Sequence, residues 1–181
     1  IMLPMVTTLS EVEHAKDLIK QAKEELNNKR KNFNDSVDIG VMIEVPSSAV
    51  NASQFAKYVD FFSIGTNDLV QYALAIDRVN DEVNYLYDPF NSAVLQLIHN
   101  VINAGKKYNI PVSLCGEMAG DINFTRLLLG MGLQSFSMHP SAIPEIKKII
   151  LNSDTNKFHS IIKRILNNDA KKKELIDKIN S

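Results

Sequence analysis

Three short apolar runs of this chain each end on polar side chains, and this repeated pattern constrains the fold most. The runs and the residues that end them are 41–43 with Glu44, 61–65 with Asn67 and Asp68, and 110–114 with Cys115. Runs that are apolar throughout, without alternation, are typical of strands buried on both faces of a parallel sheet. We therefore expect the polar side chains to converge at one end of such a sheet.

Segments with the apolar spacing of helices lie between these runs and after them. The predicted strands are residues 1–6, 37–44, 59–65, 110–115 and 135–138. The predicted helices are 11–31, 46–58, 68–76, one that follows Ser92, one that follows Asp121, and 142–151, 155–167 and 169–180. Residues 77–90 are predicted to form a long loop.

The β-α alternation occurs about five times, which predicts an α/β fold with a parallel sheet covered by helices. In a (β/α)8 TIM-type barrel, the active site lies at the carboxyl ends of the strands, where the polar residues fall here. A complete barrel needs eight units. We therefore expect this chain to supply about the last five, with the missing units before Ile1 and two open strand edges.

Helix starts are predicted from capping residues. Ser10 and Glu13 have the spacing of a capping box, in which a hydroxyl and a carboxylate satisfy backbone N–H groups reciprocally. Ser92 and Asp121 are the predicted caps of two later helices.

Composition excludes several classes of function. The net charge of the 181 residues is −1, without a basic stripe, so neither nucleic acid nor an anionic membrane surface is an expected partner. No apolar run approaches the ~20 residues needed to span a bilayer. A single cysteine excludes a disulfide framework and CxxC-type zinc sites, and fits a reducing cytosol, so we expect a cytoplasmic location.

The acidic residues at the strand ends are typical of a site for a hard cation. Glu44 and Asp68 follow neighbouring strands, and two carboxylates with waters and substrate oxygens suit Mg²⁺ or Mn²⁺. The alternative is that both acids only cap the helices that follow. Arg78 is a candidate donor to a phosphate or carboxylate, and Asn67 could supply an amide to the same anion at the helix start.

Cys115 is a candidate active-site thiol at the same end of the sheet. A free cysteine is more often a small buried apolar residue, and the polar residues around this one favour a functional role. Unless perturbed, it is mostly a neutral thiol at pH 7 and could donate a proton. Among the histidines only His139 falls near this end, and we interpret it as a loop or cap residue.

Several motifs together resemble one family, the phosphoenolpyruvate–protein phosphotransferase, enzyme I of the bacterial sugar phosphotransferase system. They are IMLPM at 1–5, GVMIEVP at 40–46, FFSIGTNDL at 61–69, Asp77-Arg78 with Asn80-Asp81, and LCGEMAGD at 114–121. The similarity continues through residues 129–144 and covers nearly the whole chain. Pyruvate phosphate dikinase and phosphoenolpyruvate synthase have similar barrels and are the nearest enzymatic alternatives.

The resemblance implies a role for each matching residue. Glu44 and Asp68 would hold Mg²⁺, Asn67, Asp68 and Arg78 would bind phosphoenolpyruvate, and Cys115 would protonate the enolate as pyruvate forms. The phosphoryl acceptor would be a histidine on a separate N-terminal domain, which passes the group to the carrier protein HPr. Residues 1–181 would then be the C-terminal part of the phosphoenolpyruvate-binding barrel, which dimerises, and we expect the chain alone to lack phosphotransfer activity.

Two other hypotheses remain open. One is a metal-dependent pyruvate aldolase or lyase, in which a carboxylate pair and Mg²⁺ also bind an enolate; the cysteine and the arginine loop speak against it. The other is a dimerisation or regulatory fragment without activity.

Overall fold

The computed structural model describes residues 1–167 and 172–180. Its centre is a sheet of five parallel strands that neighbour one another in chain order. The strands are β1 (Met2–Leu3), β2 (Gly40–Ile43), β3 (Phe61–Gly65), β4 (Val112–Cys115) and β5 (Ser135–Phe136). Parallel strands in sequential order, each followed by helix, form a fold of the (β/α) barrel type. The predicted α/β class and the five units are therefore confirmed.

Nine α-helices are described around this sheet. They are α1 (Leu9–Asn28), α2 (Pro46–Val50), α3 (Ala52–Phe55), α4 (Thr66–Leu74), α5 (Ser92–Tyr108), α6 (Ile122–Met131), α7 (Ile143–Leu151), α8 (His159–Asn167) and α9 (Lys172–Asn180). Single 3₁₀ turns occupy Asn84–Leu86, Glu117–Gly120, Pro140–Ala142 and Thr155–Lys157. Pro46 stands at the first position of α2, where its missing N–H costs no hydrogen bond.

The sheet has two unlike faces because side chains alternate along each strand. One face packs beneath helices α2, α4 and α5, and its side chains Val41, Ile43, Phe62, Ile64 and Leu114 are completely buried. The other face carries Met42, Ser63 and Ser113 side by side in register. Its next row, at the carboxyl ends of the strands, contains Glu44, Gly65 and Cys115. The alternation therefore brings the candidate residues to one face and one end.

Helix boundaries depart from the sequence prediction in several places. The capping box of α1 joins Thr8 and Glu11 and not Ser10 and Glu13, because the Glu11 carboxylate accepts the N–H groups of Thr7 and Thr8 at 2.7 and 2.8 Å. Asn91 caps α5 in place of Ser92, its Oδ1 accepting the N–H of Ala93 at 2.9 Å. The Asp121 cap of α6 is confirmed by its bond to the N–H of Asn123 at 2.8 Å.

The strands are shorter than predicted, most of all at 1–6 and 37–44, of which only Met2–Leu3 and Gly40–Ile43 pair in the sheet. The predicted helix 46–58 is two helices, since the chain turns at Asn51. The loop predicted at 77–90 is confirmed, with one 3₁₀ turn. The first residues predicted for the last helix, 169–171, lie outside the described part. Of the helices described, none has the length and hydropathy that a bilayer crossing requires.

Candidate functional site

Glu44 stands directly after β2, and its carboxylate is buried at the end of the sheet. Its side chain and backbone together are only 4% exposed, and Oε1 accepts the N–H of Met5 at 2.7 Å. Met5 has a φ of 55°, in the left-handed region that non-glycine residues seldom adopt. The loop after β1 therefore takes an uncommon conformation at the residue whose N–H meets the carboxylate.

Gly65 makes room for this carboxylate. A Cβ added to Gly65 would lie 2.8 Å from Oε2 of Glu44 and 2.9 Å from its Cβ, which is closer than real contacts allow. Because Gly65 is level with Cys115 on β4, it separates the carboxylate from the thiol in the same row. A glycine at the end of β3 is thus required by the position of Glu44.

Asp68, in the first turn of α4, brings a second negative charge near the first. Burial raises the pKa of the Glu44 carboxyl, the N–H of Met5 opposes this, and the charge of Asp68 raises that pKa further. Asp68 itself is partly exposed. The pair is therefore electrostatically strained when both acids are ionised, and a cation between them would relieve that strain.

The start of α4 is joined to the end of β4 by two hydrogen bonds. The hydroxyl of Thr66 donates to the carbonyl of Cys115 at 2.8 Å, and the N–H of Glu117 donates to Oδ1 of Asn67 at 3.1 Å. Gly116 lies between them with a φ of 96°, and a Cβ there would be 2.6 Å from Oγ1 of Thr66. This contact requires glycine, and it leaves the amide nitrogen of Asn67 available to face a ligand.

The thiol of Cys115 is partly buried on the same face of the sheet as Glu44. Its sulfur donates to the carbonyl of Ile64 at 3.5 Å and accepts from the hydroxyl of Ser63 at 3.7 Å. Cys115 is therefore neither a residue of the apolar core nor freely exposed.

Arg78 occupies the loop between α4 and α5. It is exposed, and its backbone N–H donates to Oε1 of Gln71 at 3.3 Å. Tyr87, in the same loop, contacts the start of α4: its hydroxyl donates to the carbonyl of Asn67 at 3.4 Å. Burial raises the pKa of the Tyr87 hydroxyl, the positive charge of Arg78 lowers it, and the charges of Glu117 and Asp68 raise it. The charges of Arg78 and Asp68 thus act on the same side chain.

A cavity of about 450 Å³ opens beside these residues. Among the side chains that line it are Asn67, Tyr87, Glu117, Asp121, Phe124 and Glu145. Asp121 is engaged as the cap of α6, and Glu145 lies in the first turn of α7, where a carboxylate is stabilised by the helix dipole. The cavity therefore adjoins the candidate site on the side of Asn67.

The structure brings Glu44, Asn67, Asp68 and Cys115 to one end of the sheet, and Arg78 lies on the loop that follows α4. His139 is exposed and caps a 3₁₀ turn, its Nδ1 lying 2.8 Å from the hydroxyl of Ser141. This agrees with its interpretation as a cap residue.

Met5, Ser63 and Tyr87 contact the site and were missed by sequence reasoning. Met5 acts through its backbone N–H, which leaves no signal in the residue type. Ser63 reaches the thiol only because of the strand register. Tyr87 had no distinguishing signal, because the same loop also contains Tyr85 and Phe90.

Among the described residues, no group of three or more His, Cys, Asp and Glu side chains could hold a metal by itself. A magnesium ion does not need one, since it usually takes one or two protein carboxylates and completes its octahedron with water and substrate oxygens. Glu44 and Asp68 offer carboxylate oxygens of the kind that such a site needs, and Oε2 of Glu44 lies in the space left by Gly65.

Comparison with known proteins gives consistent matches along the chain. Residues 1–155 match the family model described as PEP-utilising enzyme, PEP-binding domain. A phosphoenolpyruvate-protein phosphotransferase of Listeria monocytogenes is 43% identical over 180 residues, which is 98% of this chain and 32% of that protein.

Proteins with the same name give similar values. The match from Enterococcus faecalis is 46% identical over 166 residues, 92% of this chain and 29% of that protein. The match from Staphylococcus aureus is 42% identical over 181 residues, 100% of this chain and 32% of that protein. The chain thus spans about a third of the length of the curated relatives it matches.

Proposed function

This chain belongs to the family of PEP-utilising enzymes, as their PEP-binding domain, and we propose that it is the phosphoenolpyruvate-binding part of a phosphoenolpyruvate–protein phosphotransferase. The observation that carries the proposal is the pairing of a buried Glu44 with Asp68 at the strand ends, beside Asn67 and Cys115. Phosphoryl transfer is largely a matter of positioning and charge neutralisation, for which these groups are suited.

Glu44 and Asp68 are the proposed ligands of Mg²⁺. When bound, the ion would neutralise the phosphate and carboxylate charges of phosphoenolpyruvate. Asn67 is proposed to donate from its amide to a phosphoryl oxygen, since its Oδ1 already accepts the N–H of Glu117. Arg78 is proposed to bind other phosphoryl oxygens through its planar guanidinium, which matches phosphate geometry.

Cys115 is the proposed proton donor. Once the phosphoryl group has left, the enolate must gain a proton at its methylene carbon to become pyruvate. The S–H bond breaks, a C–H bond forms, and the electron pair of the broken bond stays on sulfur. The thiol is partly buried and hydrogen-bonded on both sides, and its S–H would turn from the Ile64 carbonyl to the enolate carbon for this transfer.

The remaining parts of the reaction are proposed to lie outside this chain. The relatives are about three times as long, and we assign residues 1–181 to the C-terminal part of their barrel. The other barrel strands and the histidine-bearing domain that phosphorylates HPr would belong to the rest of such a protein, in the cytoplasm and as a homodimer. No histidine of this chain is assigned the role of phosphoryl acceptor, and the chain alone is expected not to catalyse phosphoryl transfer.

Isothermal titration of the chain with phosphoenolpyruvate tests the proposal. Binding is expected only with Mg²⁺ present, and Asp68→Ala should weaken it at least roughly tenfold, since one of two charged ligands is lost. Asp17→Ala, an equal change on the exposed surface of α1, is the control and should bind as the wild type does. Failure of the wild-type chain to bind phosphoenolpyruvate with Mg²⁺, or equal binding by Asp68→Ala, would contradict the proposal.

A further inference from the structure

We propose that Ser63 is a positioning residue for the Cys115 thiol, whose hydroxyl stabilises the sulfur when its proton is transferred. The inference rests on the proposed function, because it assigns Ser63 a part in the protonation step. It adds a residue that is neither a metal ligand nor in contact with the substrate in that proposal.

The contact follows from the register of the sheet. Ser63 is paired with Ser113, and Gly65 is paired with Cys115, so Ser63 lies one row below the thiol on the same face. Its Oγ approaches Sγ diagonally and lies 3.7 Å away, within the longer range of hydrogen bonds to sulfur. Ser63 is 6% exposed, so water has little access to this hydroxyl.

The two hydrogen bonds of the sulfur have opposite directions. The S–H donates to the carbonyl of Ile64, which fixes where the thiol proton points, and the Ser63 hydroxyl donates to the sulfur. The carbonyl of Cys115 is held by Thr66, so the backbone beneath the thiol is also fixed. Three contacts from β3 and the start of α4 therefore orient one side chain of β4.

These bonds change differently when the proton leaves. The bond to the Ile64 carbonyl is lost with the proton, because a thiolate cannot donate. The bond from Ser63 becomes stronger, since hydrogen bonds to charged groups are shorter and about twice as strong as neutral ones. Ser63 thus favours the state in which the sulfur has given its proton to the enolate carbon.

Ser113 shows that a serine on this face can have a purely structural role. Its hydroxyl is partly buried and donates to the carbonyl of Phe62 on β3 at 3.3 Å. Ser63 lies beside it in the same row but donates to a sulfur. Because the two serines share strand position and face, Ser113 is a matched control for Ser63.

The test is the rate of alkylation of Cys115 by iodoacetamide, measured against pH in the wild type, Ser63→Ala, Ser63→Thr and Ser113→Ala. Cys115 is the only cysteine, so all labelling belongs to it. The ionisable groups at this end of the sheet are unchanged in every variant; they are Glu44, Asp68, Glu117, Arg78, Tyr87 and His139. Any difference in the profile therefore reports on the hydroxyl.

Ser63→Ala is expected to move the alkylation profile to higher pH and to slow labelling at neutral pH roughly five- to tenfold, the difference in strength between a hydrogen bond to a charged sulfur and one to a neutral sulfur. Ser63→Thr keeps the hydroxyl and should restore the wild-type profile, and Ser113→Ala should match the wild type. A Ser63→Ala profile equal to the wild type, or an equal shift in Ser113→Ala, would overturn the proposal. The measurement uses neither phosphoenolpyruvate nor Mg²⁺, so its failure is distinct from failure of the proposed function.

Discussion

The site has a strand-end half, formed by Glu44, Asn67, Asp68 and Cys115, and a loop half, which is Arg78. The fold holds these two halves to very different degrees. At the strand ends, Glu44 is buried and accepts a hydrogen bond of 2.7 Å, and Thr66 binds the carbonyl of Cys115 at 2.8 Å. On the loop, Arg78 is exposed, and the neighbouring Val79 and Tyr85 are 80% and 78% exposed. The acidic half is therefore formed by the fold, whereas the basic half depends on an exposed segment.

The contacts that hold the loop are also longer. Tyr87 reaches the carbonyl of Asn67 at 3.4 Å, and the N–H of Arg78 reaches Gln71 at 3.3 Å. Hydrogen bonds of this length are weaker than those near 2.8 Å. The residues at the strand ends are therefore held by the fold itself, whereas the position of Arg78 is fixed less tightly. Substitutions at the strand ends should then change the stability of the fold most, whereas substitutions in the loop should change ligand binding and leave stability nearly unaltered.

The largest loss of stability is expected at the strand ends, from Gly116→Ala. The backbone there has φ 96° and ψ −176°, a region that is essentially restricted to glycine, and the new Cβ would lie 2.6 Å from Oγ1 of Thr66. Strain and overpacking together should lower the free energy of unfolding by about 2–4 kcal/mol. Urea denaturation followed by circular dichroism measures this loss.

Gly120→Ala is the control for that experiment. A Cβ at Gly120 would lie 3.5 Å from the Cβ of Ala142, which is an ordinary contact, and its φ is not in the left-handed region. We expect a change within about 0.5 kcal/mol. Similar losses in the two variants would show that the junction of β4 and α4 is no more tightly constrained than its surroundings.

A smaller effect, with a pH dependence, is expected from Glu44→Gln. Burial raises the pKa of Glu44 in the folded chain, so its ionised form is disfavoured there. The folded state then loses stability as pH rises from the ordinary pKa of a glutamate through the raised value. Without divalent metal, the unfolding free energy of the wild type should therefore fall over that window, and Glu44→Gln should show a smaller fall, as measured by denaturation at several pH values.

At neutral pH, Mg²⁺ should stabilise the wild type more than Glu44→Gln. At a free concentration of 100 times Kd, the ion would stabilise the wild type by about 2.7 kcal/mol and leave Glu44→Gln nearly unchanged. Glu13→Gln, on the exposed surface of α1, is the matched control and should respond to Mg²⁺ as the wild type does. Equal stabilisation of wild type and Glu44→Gln would exclude Glu44 as a metal ligand.

The strand-end half was largely predictable from sequence, for a physical reason. A strand buried on both faces needs an apolar run, and in a parallel sheet every such run ends at the same edge, so Glu44, Asn67, Asp68 and Cys115 could be placed together without coordinates. The loop residue Arg78 was a candidate by residue type and by the resemblance of the motif around it, since no periodicity fixes a loop. Its charge and that of Asp68 both act on the Tyr87 hydroxyl, a relation that no local pattern of the sequence encodes.

Other features were beyond the reach of local patterns. The stretch TLSEVE contains two overlapping capping boxes, Thr8 with Glu11 and Ser10 with Glu13, and the sequence does not say which one closes. The structure uses the first because Glu11 also accepts the N–H of Thr7, in the loop that leads away from Met5. The contact between Ser63 and Cys115 joins residues 52 apart in sequence, and only the register of two strands determines it.

The smallest effect on stability and a large effect on binding are expected from Arg78→Lys. The side chain is exposed, so the unfolding free energy should change by less than about 0.5 kcal/mol. A lysine keeps the charge but cannot form the planar, bidentate contact of a guanidinium with a phosphoryl group. Titration with phosphoenolpyruvate and Mg²⁺ should therefore show roughly tenfold weaker binding, about 1.4 kcal/mol.

Arg30→Lys, the same exchange at an exposed residue just beyond the end of α1, separates this effect from a general effect of replacing a surface arginine and should bind normally. Besides burial, which raises the pKa of the Tyr87 hydroxyl most, the positive charge of Arg78 lowers that pKa and the negative charge of Asp68 raises it, so both charges act on one side chain that contacts α4. If Arg78→Lys bound as tightly as the wild type, the loop would contribute only charge. If it unfolded the chain, the loop would be as much a part of the folded core as the strand ends, and the distinction between the two halves would be lost.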